Sequence, residues 1–112
     1  MIDIYKDLEK TGLDVWQQGA VPEDMPESYI TVWNDSSSDN INADNRTKSI
    51  VYQFTVIYYT TDERTIYTKF EEIASLLKEK NYIYSGMGFD IESGVENYSA
   101  RCIEVSKIER RN

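Results

Sequence analysis

The 112-residue sequence contains no histidine and a single cysteine, Cys102. Without histidine, the chain cannot build a Ser-His-Asp or Cys-His nucleophile, a His-containing zinc site or an imidazole proton relay near neutral pH. A single cysteine forms no disulfide within the chain, so nothing in the sequence indicates an oxidising compartment. These two absences exclude several common classes of enzyme, metalloprotein and secreted scaffold.

Long hydrophobic runs and glycine-rich loops are also missing. No segment approaches the roughly 18 consecutive apolar residues of a membrane span. The N-terminus carries Asp3, Lys6 and Asp7 where a signal peptide is apolar, so we expect synthesis in the cytoplasm. The five glycines are scattered, and no phosphate-binding loop is predicted.

Positive charge is scarce, because 12 Lys and Arg residues stand against 20 Asp and Glu residues, for a net charge of −8. Residues 1–45 hold ten of the acids and only two lysines, whereas residues 46–112 are balanced. A protein needs excess Lys and Arg to displace counterions from phosphates, so neither specific nucleic-acid binding nor binding to an anionic membrane is expected. We interpret the acidic half as a solubilising surface rather than a docking face.

The remaining composition is typical of one globular domain, with 40% hydrophobic and 29% charged residues. Periodicity predicts helices over residues 2–10 and 60–80, and strands over residues 13–18, 28–34, 48–59, 81–91 and 98–108. Thr60 and Glu63 have the spacing of a capping box for the long helix, and Asp62 is an alternative cap. The predicted fold class is α+β, with an antiparallel β-sheet, one long amphipathic helix packed across it and a short N-terminal helix, all in one domain over residues 1–112.

The strand over residues 48–59 is apolar on one face and half apolar on the other. The second face is formed by Val51, Gln53, Thr55, Ile57 and Tyr59. Such a strand lies at the centre of a sheet, or its second face meets another subunit. Nine tyrosines and two tryptophans add to this apolar surface, although most of them fit a pleated sheet. The sheet then has more apolar area than one helix can cover, and this excess area favours an oligomer or a constitutive partner.

Residues 35–45 form the most polar segment, with Ile41 as their one large apolar residue. The segment is longer than an ordinary hairpin loop of about 2–5 residues, and we expect a loop that is mobile or ordered by a partner. It fails the calcium-loop pattern, because Asn45 occupies the glycine position and Val51 the position of the bidentate Glu. A weak divalent site through Asp39 and Asp44 is less well supported than a solvated loop.

No other pattern predicts catalysis. Glu71 and Glu72 are adjacent on a predicted helix and diverge by roughly 100°, so they do not form an acid–base pair. Cys102 lies in a predicted strand, which is typical of a small buried apolar residue rather than a nucleophile. The sequence therefore predicts a protein that is not an enzyme and that has no cofactor and no metal.

The predicted elements follow one another in a particular order along nearly the whole chain. A short N-terminal helix leads to an acidic connector with Pro22 and Pro26 and then to the strand Ser-Tyr-Ile-Thr-Val-Trp. A polar segment ends in Ala-Asp-Asn at Asn45, and the long strand, the long helix, Lys-Asn-Tyr around Asn81 and a closing hairpin follow. This order resembles the small tail-terminator, or tail-completion, proteins of long-tailed bacteriophages and prophages. Asn81 is a departure, since such proteins often carry glycine there, although Asn also tolerates a left-handed helix cap.

The resemblance implies a structural virion protein. Such a protein assembles as a homo-hexameric ring on the finished tail tube, stops further polymerisation and presents the surface that joins the head. Its partners would be the tail tube protein and a head-completion or connector protein. Its place would be the tail–neck junction of the virion, after assembly in the host cytoplasm.

On this hypothesis the strand over residues 48–59 forms a surface between subunits, and the polar segment contacts the tube or the adjoining neck protein. The predicted interface residues are Asp35, Asp39, Ile41, Asp44, Asn45, Val51, Gln53, Thr55, Ile57 and Tyr59. Two other classes stay open. One is another neck component, such as a head-closure or connector protein, and the other is a monomeric acidic inhibitor that mimics DNA or covers a basic protein. An enzyme using only carboxylates is a distant third.

Overall fold

The computed structural model describes residues 3–41 and 48–111. Its elements, in chain order, are α1 (Ile4–Glu9), β1 (Asp14–Gln17), β2 (Ser28–Ile41), β3 (Lys48–Thr60), a 3₁₀ turn (Glu63–Thr65), α2 (Ile66–Glu79), β4 (Phe89–Ile91) and β5 (Ser99–Arg111). The strands form one sheet in the order β1-β2-β3-β5-β4. The α+β class is confirmed, and β3 lies at the centre of the sheet.

The sheet is mixed at one edge. β1 runs parallel to β2, whereas the other three pairings are antiparallel, as predicted. A parallel pair requires the chain to return to the starting end of the sheet before the second strand begins. Residues 18–27, which contain both prolines, make this return, and they are called the crossover below.

The core lies between the sheet and the two helices. It is built from one face of β2, β3 and β5, from one side of each helix and from a tyrosine beyond α2. Its buried members are Ile4, Leu8, Ile30, Val32, Phe54, Val56, Tyr58, Ile66, Phe70, Ile73, Ala74, Leu77, Tyr82, Ile103 and Val105. The alternating residues of β3 and the three- and four-residue steps of α2 thus meet as their periodicity predicts.

The ends of α2 follow local side-chain chemistry. Asp62 caps the 3₁₀ turn that leads into the helix, since its Oδ1 accepts from the Arg64 backbone N–H at 3.1 Å. Thr60 instead accepts from the Asp62 backbone N–H, so the capping box does not form. Asp62 caps the turn and not α2 itself, whose N-cap residue Thr65 makes no side-chain capping bond. At the other end Asn81 has a φ of 70°, and the Tyr82 N–H reaches back to the Leu77 carbonyl at 2.9 Å. Asn81 therefore provides the left-handed cap.

The three long strands continue beyond the helix-covered core. β2, β3 and β5 are 14, 13 and 13 residues long, and their pairing reaches Ile41 opposite Lys48 and Lys48 opposite Arg111. Residues 37–41, 48–52 and 107–111 form a three-stranded extension, called the arm below. The described molecule accordingly measures 53 × 26 × 23 Å.

The prediction of a loop beginning at residue 35 is wrong, because residues 36–41 pair with β3 as strand. A strand needs partners for its backbone groups rather than an apolar face, and β3 supplies those partners to a serine-rich segment that composition alone assigns to a loop. Asp35 itself is the extra residue of a β-bulge between Asn34 and Ser36.

The prediction of a strand over residues 81–91 is also only partly correct. An isolated bridge joins Ile83 to Ser106, and β4 begins only at Phe89. Gly86 and Gly88 have φ angles of 75° and 78° and turn the chain out of the extended conformation between these two points.

Candidate interaction surface

The sheet face away from the helices is covered at one end by the crossover. There Tyr29 and Tyr59 stack with their ring centroids 4.7 Å apart, and Val21 and Met25 pack against them. The Tyr98 hydroxyl donates to the Pro26 carbonyl at 2.7 Å and so ties the crossover to the start of β5. Burial, followed by the neighbouring tyrosines, raises the pKa of Tyr29 to about 12.

The rest of this face is uncovered by any described residue of the chain and carries large apolar side chains. Trp33 is 54% exposed, Ile83 57%, Phe89 51% and Ile108 49%. The register places these residues opposite Thr55, Ser106, Cys102 and Val51, respectively. Paired residues of antiparallel strands project from the same face, so all four belong to one surface.

We call this surface the open face. Its members alternate with the core residues along each strand and line the uncovered part of the sheet. They are Trp33, Val51, Gln53, Thr55, Ile57, Ile83, Phe89, Glu104, Ser106 and Ile108. Isolated exposed apolar residues are ordinary, but a group of this kind on one face of a small domain is typical of an interaction site.

Four of the predicted interface residues lie on the open face, namely Val51, Gln53, Thr55 and Ile57. A fifth predicted residue, Asp35, also reaches this face, because its Oδ2 accepts a hydrogen bond from the Thr55 hydroxyl at 2.6 Å. The bulge directs this carboxylate back over β3 and gives the open face an acidic margin together with Glu104.

The other predicted interface residues are not brought to this surface. Tyr59 is only 5% exposed, because the crossover and Tyr29 cover it. Asp39 and Ile41 lie in the arm, opposite Ile50 and Lys48, respectively. Asp44 and Asn45 lie outside the described residues.

Sequence reasoning missed the largest side chains of the open face. Trp33 could have been found, because it alternates with the buried Ile30 and Val32 and so projects from the opposite face. Ile83 and Phe89 gave no such signal, since their positions depend on pairing with residues of β5 that are distant in sequence.

Cys102 lies beneath the open face, between Ile57 of β3 and Phe89 of β4, and is buried. Burial, followed by the charges of Glu104 and Asp35, raises the pKa of its thiol to about 11. The thiol therefore stays protonated at neutral pH, and the interpretation of Cys102 as a small buried apolar residue is confirmed.

Two further absences concern the described part of the chain. No three His, Cys, Asp or Glu side chains of residues 3–41 and 48–111 converge as metal ligands would. Within the same ranges, no helix combines the length and hydrophobicity needed to cross a membrane.

No protein-family model matches this chain, and no curated protein matches it in sequence. The resemblance to tail-terminator proteins thus stays a prediction, and the surfaces described above are the structural basis for a functional proposal.

Proposed function

We propose that this protein is a structural component of a phage virion that caps the tail tube as a ring and forms the surface to which the head is joined. The observation that carries the proposal is the open face. Trp33, Ile83, Phe89 and Ile108 are each about half exposed on one side of a small domain. Covering this area in an assembly would remove apolar surface from water, which favours association by roughly 25 cal/mol per Å² before the costs of ordering.

The shape of the molecule also supports a ring. A closed ring is built from two different surfaces of each copy, which meet head to tail. The described chain offers such a pair, since the tip of the arm, where Ile41 pairs with Lys48, projects from one end of the sheet and the open face covers its side. An elongated domain of 53 Å can also reach from one copy to the next.

The test is electron microscopy of tails made when an amber codon interrupts this gene in the phage or prophage that encodes it. A terminator role predicts tails of abnormal length that lack heads, and complementation by the wild-type gene restores normal particles. Headless tails of normal length instead indicate another neck component, such as a head-closure or connector protein. Normal tails joined to heads would contradict both assignments.

The second candidate is a monomeric acidic inhibitor, which is favoured by the excess of eight negative charges in residues 1–45. Its partner would be a basic protein surface, and its binding would weaken steeply with salt. Normal particles from the amber phage would make this candidate the first choice.

A further inference from the structure

A cavity of about 340 Å³ lies between the crossover and the sheet. Its walls are largely apolar, and they include Val21 and Met25 of the crossover and the stacked rings of Tyr29 and Tyr59. Its volume falls in the range of roughly 300–1,000 Å³ that is usual for ligand sites. We call this feature the crossover cavity.

Thr31 lines the crossover cavity and carries a buried hydroxyl that has no hydrogen-bond partner among the described residues. The residue is only 1% exposed, and the register places its side chain on the sheet face that the crossover covers. Thr60 is equally buried, yet its hydroxyl shares a hydrogen bond with the Ser28 hydroxyl at 2.9 Å and accepts from the Asp62 N–H at 3.1 Å. Because buried hydroxyls are nearly always paired, Thr31 lacks a partner that its position calls for.

Gln18 and Glu23 bring two further acceptors to the same cavity. The Gln18 amide oxygen is buried and has no partner among the described residues. No described Lys or Arg pairs with the Glu23 carboxylate. The cavity therefore offers three groups that accept hydrogen bonds, one of them charged, and the described residues that line it include no Lys or Arg.

The crossover is weakly tied to the rest of the described chain. Residues 19–25 form no helix or strand, and their one hydrogen bond to a described residue is local, from the Ala20 N–H to a carbonyl three residues earlier. A firmer tie lies beyond this stretch, where the Pro26 carbonyl accepts from the Tyr98 hydroxyl. Displacement of residues 19–25 alone thus gives a ligand access to the Thr31 hydroxyl.

We propose that the crossover cavity binds an arginine side chain of a partner protein. A guanidinium is planar, permanently charged and rich in N–H donors, so it donates to the Gln18 oxygen and the Thr31 hydroxyl and pairs with Glu23. Its aliphatic stem packs on Val21 and Met25, and the tyrosine rings of the cavity favour a cation. Lysine lacks the planar fork of donors, and an uncharged amide would leave the carboxylate unpaired, so neither matches the three acceptors.

The cavity adjoins the open face, which indicates where the arginine comes from. Gln18 also lines a smaller depression together with Trp33, an exposed residue of the open face. A partner that covers Trp33 therefore lies beside the entrance to the cavity. The inference rests on the proposed function only in identifying this partner with the virion protein that covers the open face.

Short peptides and the folded full-length chain provide the test. The probes are acetylated and amidated Gly-Arg-Gly and its lysine and citrulline counterparts, citrulline being the uncharged isostere of arginine. In heteronuclear NMR titrations up to about 20 mM, the arginine peptide should shift the amide signals of residues 18–31 saturably, with a millimolar dissociation constant. The lysine and citrulline peptides should bind at least about tenfold more weakly.

Thr31→Val removes the unpaired hydroxyl and preserves the shape of the side chain. It should weaken binding of the arginine peptide at least about tenfold and raise the urea midpoint of the free chain by about 0.5 M, because no unpaired buried hydroxyl remains. Thr60→Val is the matched control, since the hydroxyl that it removes is paired. It should lower the urea midpoint and leave the peptide affinity unchanged.

The role of the charge is tested in the same way. Glu23→Gln should weaken binding of the arginine peptide at least about fivefold and make it less sensitive to salt. Asp24→Asn makes the same charge change at the next residue, which does not line the cavity, and should bind like the wild type. Equal losses in the two variants would reduce the effect to net charge and contradict the proposal.

Four other results would overturn arginine binding in the cavity. They are the absence of saturable shifts, equal affinity for the arginine and citrulline peptides, unchanged affinity in Thr31→Val, and a Thr31→Val chain less stable than the wild type, which would assign a buried water to the hydroxyl. Self-association in sedimentation velocity that the arginine peptide inhibits would make a second copy the partner and overturn the assignment to another protein. Normal tails from the amber phage with arginine binding intact would reject the tail role alone, whereas abnormal tails without arginine binding would reject the cavity site alone.

Discussion

Of the five glycines, Gly88 alone packs closely against neighbouring residues. It has a φ of +78°, and a Cβ built there would overlap the Cys102 carbonyl oxygen and lie 3.0 Å from the Phe70 ring. We therefore expect Gly88→Ala to lower the free energy of unfolding by about 2–4 kcal/mol, because a left-handed backbone and a backbone clash add together. Urea denaturation measures this change.

Gly86 provides the matched control for Gly88. Its φ is +75°, but nothing lies within 4 Å of the added Cβ. Gly86→Ala should therefore cost only about 1 kcal/mol of backbone strain. Equal losses in the two variants would show that packing against Phe70 and β5 contributes nothing.

The buried position of Cys102 predicts that its thiol reacts slowly in the folded protein. Its pKa is raised to about 11 by burial, whereas an unfolded cysteine has a pKa of about 8.5. At pH 8 an aromatic disulfide reagent should react at least about a hundredfold more slowly with the folded chain than with the chain in urea, because the thiolate is the reactive form. Comparable rates in the two states would contradict the buried placement.

The raised pKa of the Cys102 thiol also predicts how the free energy of unfolding depends on pH. Because the folded pKa lies above the unfolded one, the stabilisation is fully present below about pH 8.5 and is lost as the pH rises toward about 11. Cys102→Ala should flatten this part of the stability profile, as followed by the urea midpoint between pH 8 and pH 10. An identical slope in the variant would assign the alkaline loss to other groups.

At the scale of elements, helix α2 contributes to the core through one side only. Leu77 is fully buried, whereas its neighbour Leu76 is half-buried on the outward side. Leu77→Ala should lower the free energy of unfolding by about 2–5 kcal/mol through lost burial and a residual cavity. Leu76→Ala should cost clearly less, and urea denaturation of the two variants compares them directly. Similar losses would mean that α2 is rotated about its axis relative to the structure described.

The sequence was sufficient to predict the helices, whereas only some of the strands were predicted with their correct bounds. The stripe of Phe70, Ile73 and Leu77 depends on neighbours within two turns, so local spacing was enough to place α2, and the cap at Asp62 was found for the 3₁₀ turn that leads into it. The serine-rich part of β2 has no such local signal, and it becomes strand because β3 offers hydrogen-bond partners along its length. β4 likewise exists through its pairing with β5.

At the scale of the whole molecule, we expect substitutions on the open face to impair assembly without impairing folding. Trp33→Ala with Phe89→Ala removes two side chains that are about half exposed, so the unfolding midpoint should change little. If these side chains are buried between subunits, complementation of the amber phage by this variant should yield at least about tenfold fewer infectious particles. Leu76→Ala, on the outward side of α2, is the control and should complement fully.

Full complementation by Trp33→Ala with Phe89→Ala would contradict an assembly role for the open face. A folded variant that makes overlong or headless tails would support it. Circular dichroism of the purified variant distinguishes these outcomes from simple misfolding.

Composition and local periodicity were sufficient for the fold class, for the helix that packs on the sheet and for the interpretation of Cys102, because each depends on residues near one another in the chain. The parallel edge strand, the arm and the open face around Trp33 depend on which distant segments pair. Strand pairing uses backbone groups that every residue shares. Which strands pair is therefore determined by the packing of the whole chain, and it cannot be read from any single segment of the sequence.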